Sequence, residues 1–61
     1  MKAVLMIIGD VDSDKLILVV CHDRLEATTI MPLTCDRYGI FNVFVTIHDI
    51  TLPYEIPTTI L

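Results

Sequence analysis

The chain has no tryptophan and no glutamine, only two glycines, and four basic residues, Lys2, Lys15, Arg24 and Arg37, set far apart. Each shortage excludes something. Scattered bases form no stripe for phosphates, which supply most of the affinity for nucleic acid. An anionic membrane surface is excluded for the same reason. Two glycines, Gly9 and Gly39, cannot build a glycine-rich phosphate loop. The longest apolar runs have six residues, far short of the roughly 18 needed to cross a bilayer. The opening stretch from Met1 to Gly9 has the greasy look of a secretion signal, but its apolar part is short and no small-x-small cleavage site follows. With these absences, the expectation is a soluble protein of the cytoplasm, with no membrane and no nucleic acid among its partners.

What is present is apolar and β-branched. Hydrophobic residues make up 54% of the 61, mean hydropathy is +0.71, and Val, Ile and Thr supply 22 positions. Disordered chains are poor in these residues. Strand formers outnumber helix formers. The formal charge is −4, from eight acids against four bases. Eight diluted acids do not make the dense face of a nucleic-acid mimic.

Gly, Pro, Asp and Ser divide the chain into segments. Lys2 to Ile8 reads as a strand, 9–14 as a turn, and Lys15 to His22 as a second strand. Both strands are apolar at odd and even positions, the mark of a strand covered on both faces. Leu25 to Leu33 reads as a third strand. Thr28, Thr29 and Ile30 are mediocre helix formers and Pro32 limits a helix. The alternative is a short helical turn near 23–29, with Asp23 and Glu26 at capping-box spacing. Thr34 to Gly39 is a turn. Ile40 to His48 is the clearest strand: Phe41, Val43, Val45 and Ile47 share one side, and Asn42, Phe44, Thr46 and His48 the other. From Ile50 to Leu61, Pro53 and Pro57 favour an extended arm with Leu52, Tyr54, Ile56 and Ile60 on its sticky side. The expected fold is a single all-β domain over 1–61, a small antiparallel meander or barrel-like sheet with a C-terminal arm over 50–61.

The chemistry-bearing residues are few. Asp10, Asp12 and Asp14 alternate like the start of a calcium loop, but Lys15 stands where that loop needs glycine and Cys21 where it needs glutamate. Cys21, His22, Cys35 and His48 lack the spacing of a zinc motif. His22 and His48 each precede an aspartate, but neighbours in a strand face apart and make no dyad. The two cysteines read as buried free thiols in a reducing compartment. No enzyme, cofactor or metal is expected.

Size gives the remaining expectation. A chain of this mass hides only about 60% of its unfolded surface. Without a helix it has nothing to cover a second sheet face, so copies are expected to associate through Leu52, Tyr54, Ile56 and Ile60. Asn42, Phe44, Thr46, His48 and Tyr54 are the candidate binding residues, since amide, hydroxyl and imidazole groups beside aromatic rings suit a ligand or a partner. Two functions follow. One is a small homo-oligomeric interaction protein that binds another protein, in the style of phage-encoded inhibitors of host proteins. The other is a sequestering protein for a small nucleotide-like ligand held between subunits.

Overall fold

In a computed structural model the chain runs β1 (Lys2–Asp10), β2 (Leu16–Cys21), α1 (Arg24–Tyr38), β3 (Val43–Thr51) and β4 (Thr59–Ile60). The structure describes residues 1–55 and 57–60, the side chains of 59 and 60 excepted. β1 and β2 form a hairpin with Val4 opposite Cys21 and Gly9 opposite Leu16. β3 lies antiparallel on the other side of β1, with Lys2 opposite Thr51 and Asp10 opposite Val43. β4 pairs with β2 at Val19 and Val20, so the sheet order is β3-β1-β2-β4. The sheet is antiparallel, as expected. It is not a meander, because α1 carries the chain from β2 across the sheet to the far side of β1.

The helix is the main correction. The expected strand over 25–33 and turn over 34–39 are one helix of 15 residues, and the alternative short turn near 23–29 is only its beginning. Its ends are well specified. Asp23 is the N-cap and accepts from the Glu26 N–H at 2.7 Å, satisfying a donor that a helix start otherwise leaves free. Glu26 reaches back to the His22 N–H at 3.2 Å. At the other end Gly39 adopts φ 66°, its N–H donating to the Asp36 carbonyl, while the Ile40 N–H donates to the Cys35 carbonyl. This is a Schellman closure, and Ile40 and Cys35 both join the core beneath it.

Ala27, Ile30, Met31, Thr34 and Cys35 recur at i, i+3, i+4, i+7 and i+8 and form the inward stripe. The Thr34 hydroxyl in that stripe is buried and has no hydrogen-bond partner among the described residues. Pro32 faces solvent, so the Thr28 carbonyl that loses its helical donor is on the wet side. The hydroxyls of Thr28 and Thr29 each bond back to the carbonyl four residues earlier, at 2.9 Å.

The core is one layer, sheet against helix. Val4, Met6, Ile8, Val19 and Cys21 point from the sheet to Ala27, Cys35 and Ile40, with Val43, Val45 and Ile47 at its margin. Asp10 closes the β1–β2 turn with its own carboxylate, accepting from the Asp12 N–H at 3.0 Å and the Ser13 hydroxyl at 2.9 Å. Ile50 and Thr51, assigned to the arm on sequence grounds, belong to β3, whose ladder with β1 ends in a Met1–Leu52 pair. Among the described residues no helix is long and apolar enough to cross a membrane.

Candidate functional site

Strand alternation sorts the sheet residues into two sets. Positions 4, 6 and 8 of β1, 17, 19 and 21 of β2, and 43, 45 and 47 of β3 face the helix. The complementary positions face the other way: Ala3, Leu5 and Ile7 of β1, Leu16, Leu18 and Val20 of β2, and Phe44, Thr46, His48 and Ile50 of β3. No element among those described lies over this second face. Leu16 is 59% exposed and Phe44 48%, Leu5, Ile7 and Leu18 are half-buried, and Ala3 and Val20 are buried. The double-sided apolar character read from β1 and β2 is therefore present, with the helix covering one side and the other open around Leu16 and Phe44.

Three of the five expected binding residues come together here. Phe44, Thr46 and His48 are successive on the open side of β3, and His48 Nε2 lies 3.0 Å from Thr46 Oγ1. They stand opposite Gly9, Ile7 and Leu5 of β1. The Phe44 ring lies where a Cβ on Gly9 would be, so the ring covers the glycine. Asn42 is elsewhere. It precedes β3 and braces the β1–β2 turn, its carbonyl accepting from the Val11 N–H at 2.9 Å and its amide 3.5 Å from Asp12. Phe41, grouped with Val43, Val45 and Ile47 on sequence grounds, lies outside β3 and is 83% exposed. Tyr54 is exposed beyond the end of β3. Of the expected association residues, Leu52 is half-buried at the end of the ladder. The Ile60 backbone lies opposite Val19, and Ile56 falls outside the described residues.

The other chemistry-bearing groups are engaged locally. Cys21 and Cys35 are free and buried, as expected. Burial pushes the Cys21 thiol above its ordinary pKa of 9.0, with the charges of Glu26 and Asp23 adding to the effect. Cys35 Sγ contacts Met31 Sδ at 3.8 Å. His48 and Asp49 form no dyad. His48 contacts Thr46 on the open face, and Asp49 pairs with Arg24 at 3.1 Å on the helix side. Among the described residues no three His, Cys, Asp or Glu side chains gather as a metal site.

One cluster was not foreseen. His22 Nδ1 lies 3.0 Å from the Glu26 carboxylate, and the Thr58 hydroxyl bonds to that carboxylate while lying 3.3 Å from His22 Nδ1. It ties the last segment of chain to the start of the helix. The capping-box spacing of Asp23 and Glu26 was the visible half of this arrangement; nothing in the sequence pointed to Thr58, 32 residues away.

Comparison with family models, with curated proteins and with solved structures finds no match for this chain.

Proposed function

We propose that the chain is a small non-catalytic binding protein that works as a homo-oligomer, its open sheet face being the surface that associates. The observation that carries this reading is the partly open face of Leu5, Ile7, Leu16, Leu18 and Phe44 opposite a sheet face already sealed by the helix. Three strands at about 4.8 Å spacing and 20–30 Å of strand length give it roughly 300–400 Å² in projection. That is the size of the largest apolar patch on an ordinary monomer, which is often functional. Leu25, Leu33 and Phe41 are also exposed but are single residues, and such residues are ordinary on a surface.

A standard interface of about 800 Å² per partner is roughly a fifth of the 4168 Å² that one chain exposes. Stacking two copies through this face would bury the apolar residues that a lone chain leaves in water. Phe44, Thr46 and His48 supply the polar and aromatic margin of that junction, and their grouping supports a second reading, in which a small nucleotide-like ligand is held there. In the first reading the oligomer binds another protein, as small inhibitors do.

Native mass spectrometry at micromolar protein tests the assembly. The expected result is a multiple of 6.9 kDa, lowered by Leu18→Lys with an unchanged far-UV spectrum. A single-chain mass for the unsubstituted protein would overturn the reading. A stability gain on adding nucleotides would move the emphasis to the ligand, since anything that binds the native state raises its stability.

A further inference from the structure

The sheet order leaves β3 outermost, and its outer edge differs from the opposite one. On the β2 side, β4 pairs with Val19 and Val20 and covers part of the edge. On the β3 side no described strand pairs with any of the nine residues Val43–Thr51. Proteins usually defend such an edge with lysine, proline, a bulge or brevity. β3 has none of these. It contains no proline, lysine, arginine or glycine, and its one carboxylate, Asp49, is engaged by Arg24.

We infer that this edge pairs with the same edge of a second copy, antiparallel, about a two-fold axis at Ile47. The inference rests on the self-association proposed above and adds which backbone joins. Antiparallel strands related by a two-fold axis must keep the same faces of both sheets together, so each residue meets one of its own parity. Centring on Ile47, the middle of β3, uses all nine positions. In that register Phe44 meets Ile50 of the second copy, Thr46 meets His48, and Ile47 meets itself. On the open face apolar therefore meets apolar and polar meets polar, and Asp49 meets Val45 rather than its own copy. Shifting the centre by two residues towards the C-terminus brings Asp49 onto Asp49, a like-charge pair that destabilises a ladder.

Charge at the strand ends points the same way. The Val43 end of β3 lies beside Asp10 and the acidic turn of Asp12 and Asp14, and the Thr51 end lies beside Lys2. Antiparallel pairing sets the acidic end of one copy next to the basic end of the other, whereas parallel pairing would set like ends together. Across four strands at about 4.8 Å spacing, Asp10 and the second copy's Lys2 are roughly 14 Å apart. That exceeds the Debye length of about 8 Å at physiological salt, so the effect chooses the orientation mainly at low ionic strength.

Thr46 and His48 are exposed, so folding is not at stake at these two positions. Thr46→Cys and His48→Cys proteins are mixed, mildly oxidised and run without reductant; Cys21 and Cys35 are buried. The register predicts a mixed cross-link several-fold more abundant than either self-link, and an efficient self-link for Ile47→Cys but not for Val43→Cys or Thr51→Cys. Far-UV spectra check the folding of the last three. Equal yields at all positions, or a maximum at 43 or 51, would overturn the inference. An oligomeric native mass with no link at these positions, but an efficient one for Leu5→Cys, would sink the edge pairing and leave the stacked-face reading standing. A single-chain mass would end both. An extended segment of a different protein on β3 would appear as the single chain, unlinked at 46, 47 and 48, and counts against the second copy.

Discussion

Gly9 and Phe44 face each other across β1 and β3, and the ring occupies the space a side chain at Gly9 would need. Gly9→Ala must therefore displace the ring, at a cost of about 1–2 kcal/mol of stability for overpacking. In a Phe44→Ala background the obstacle is gone, and the same substitution is expected to be close to neutral. Chemical denaturation of the four proteins in a double-mutant cycle measures this coupling. Equal costs in both backgrounds would show that the ring does not rest on the glycine. Gly39 is needed for a different reason. Nothing crowds it, but its φ of 66° favours a residue without a Cβ.

Cys21 gives a prediction of another kind. Its thiol titrates above 9.0 because burial, then Glu26 and Asp23, disfavour the thiolate. The folded state thus holds this proton more tightly than the unfolded state. The resulting stability is complete below pH 9 and is lost as pH rises through the folded pKa. Denaturation midpoints measured from pH 8 upward should fall, and Cys21→Ala should flatten that fall relative to the native sequence. An identical slope in both proteins would assign the alkaline loss to other groups.

At the scale of elements, β1 and β2 and the alternation of β3 were readable from apolar position alone, because strand period and burial agree there. The helix was not, and Thr28, Thr29 and Pro32 explain why. Their local preferences oppose a helix, while the stripe of Ala27, Ile30, Met31, Thr34 and Cys35 supports one only when the threonine is counted as an inward residue. Tertiary burial, with the caps at Asp23 and Gly39, outweighs propensities worth less than about 1 kcal/mol for each threonine and about 3 kcal/mol for the proline. Pro32 is the remaining misfit. Pro32→Ala restores a donor to the Thr28 carbonyl and a better helix former to an exposed site, and is expected to stabilise by about 1–3 kcal/mol. A loss of stability on urea titration would mean that Pro32 itself is needed for α1 to fit the sheet. The candidate site was legible to a similar degree. Phe44, Thr46 and His48 share a face because of strand period, whereas Asn42 joins that face only when the strand is started at Ile40, three residues too early.

For the molecule as a whole, the helix changes the shortage argument without removing it. A chain with one helix can seal one sheet face, and this one seals the face of Val4, Met6, Ile8, Val19 and Cys21. Its total exposed surface, 4168 Å², is close to the roughly 4,000 Å² expected for any chain of this mass, so the helix gives no unusual compactness. The free energy available from the second face is realised only when something else covers it. If that cover is another copy, folding and association are linked and stability must depend on protein concentration. The denaturation midpoint should rise steadily between about 1 and 100 µM chain, since mass action favours the associated state. Leu18→Lys places a charge in the centre of the open face while leaving the helix-facing core intact. In that variant the midpoint should respond less steeply to concentration and lie nearer the low-concentration value of the unsubstituted chain. A midpoint independent of concentration in the native sequence would mean that the sheet and helix stand alone and that the open face serves a different partner.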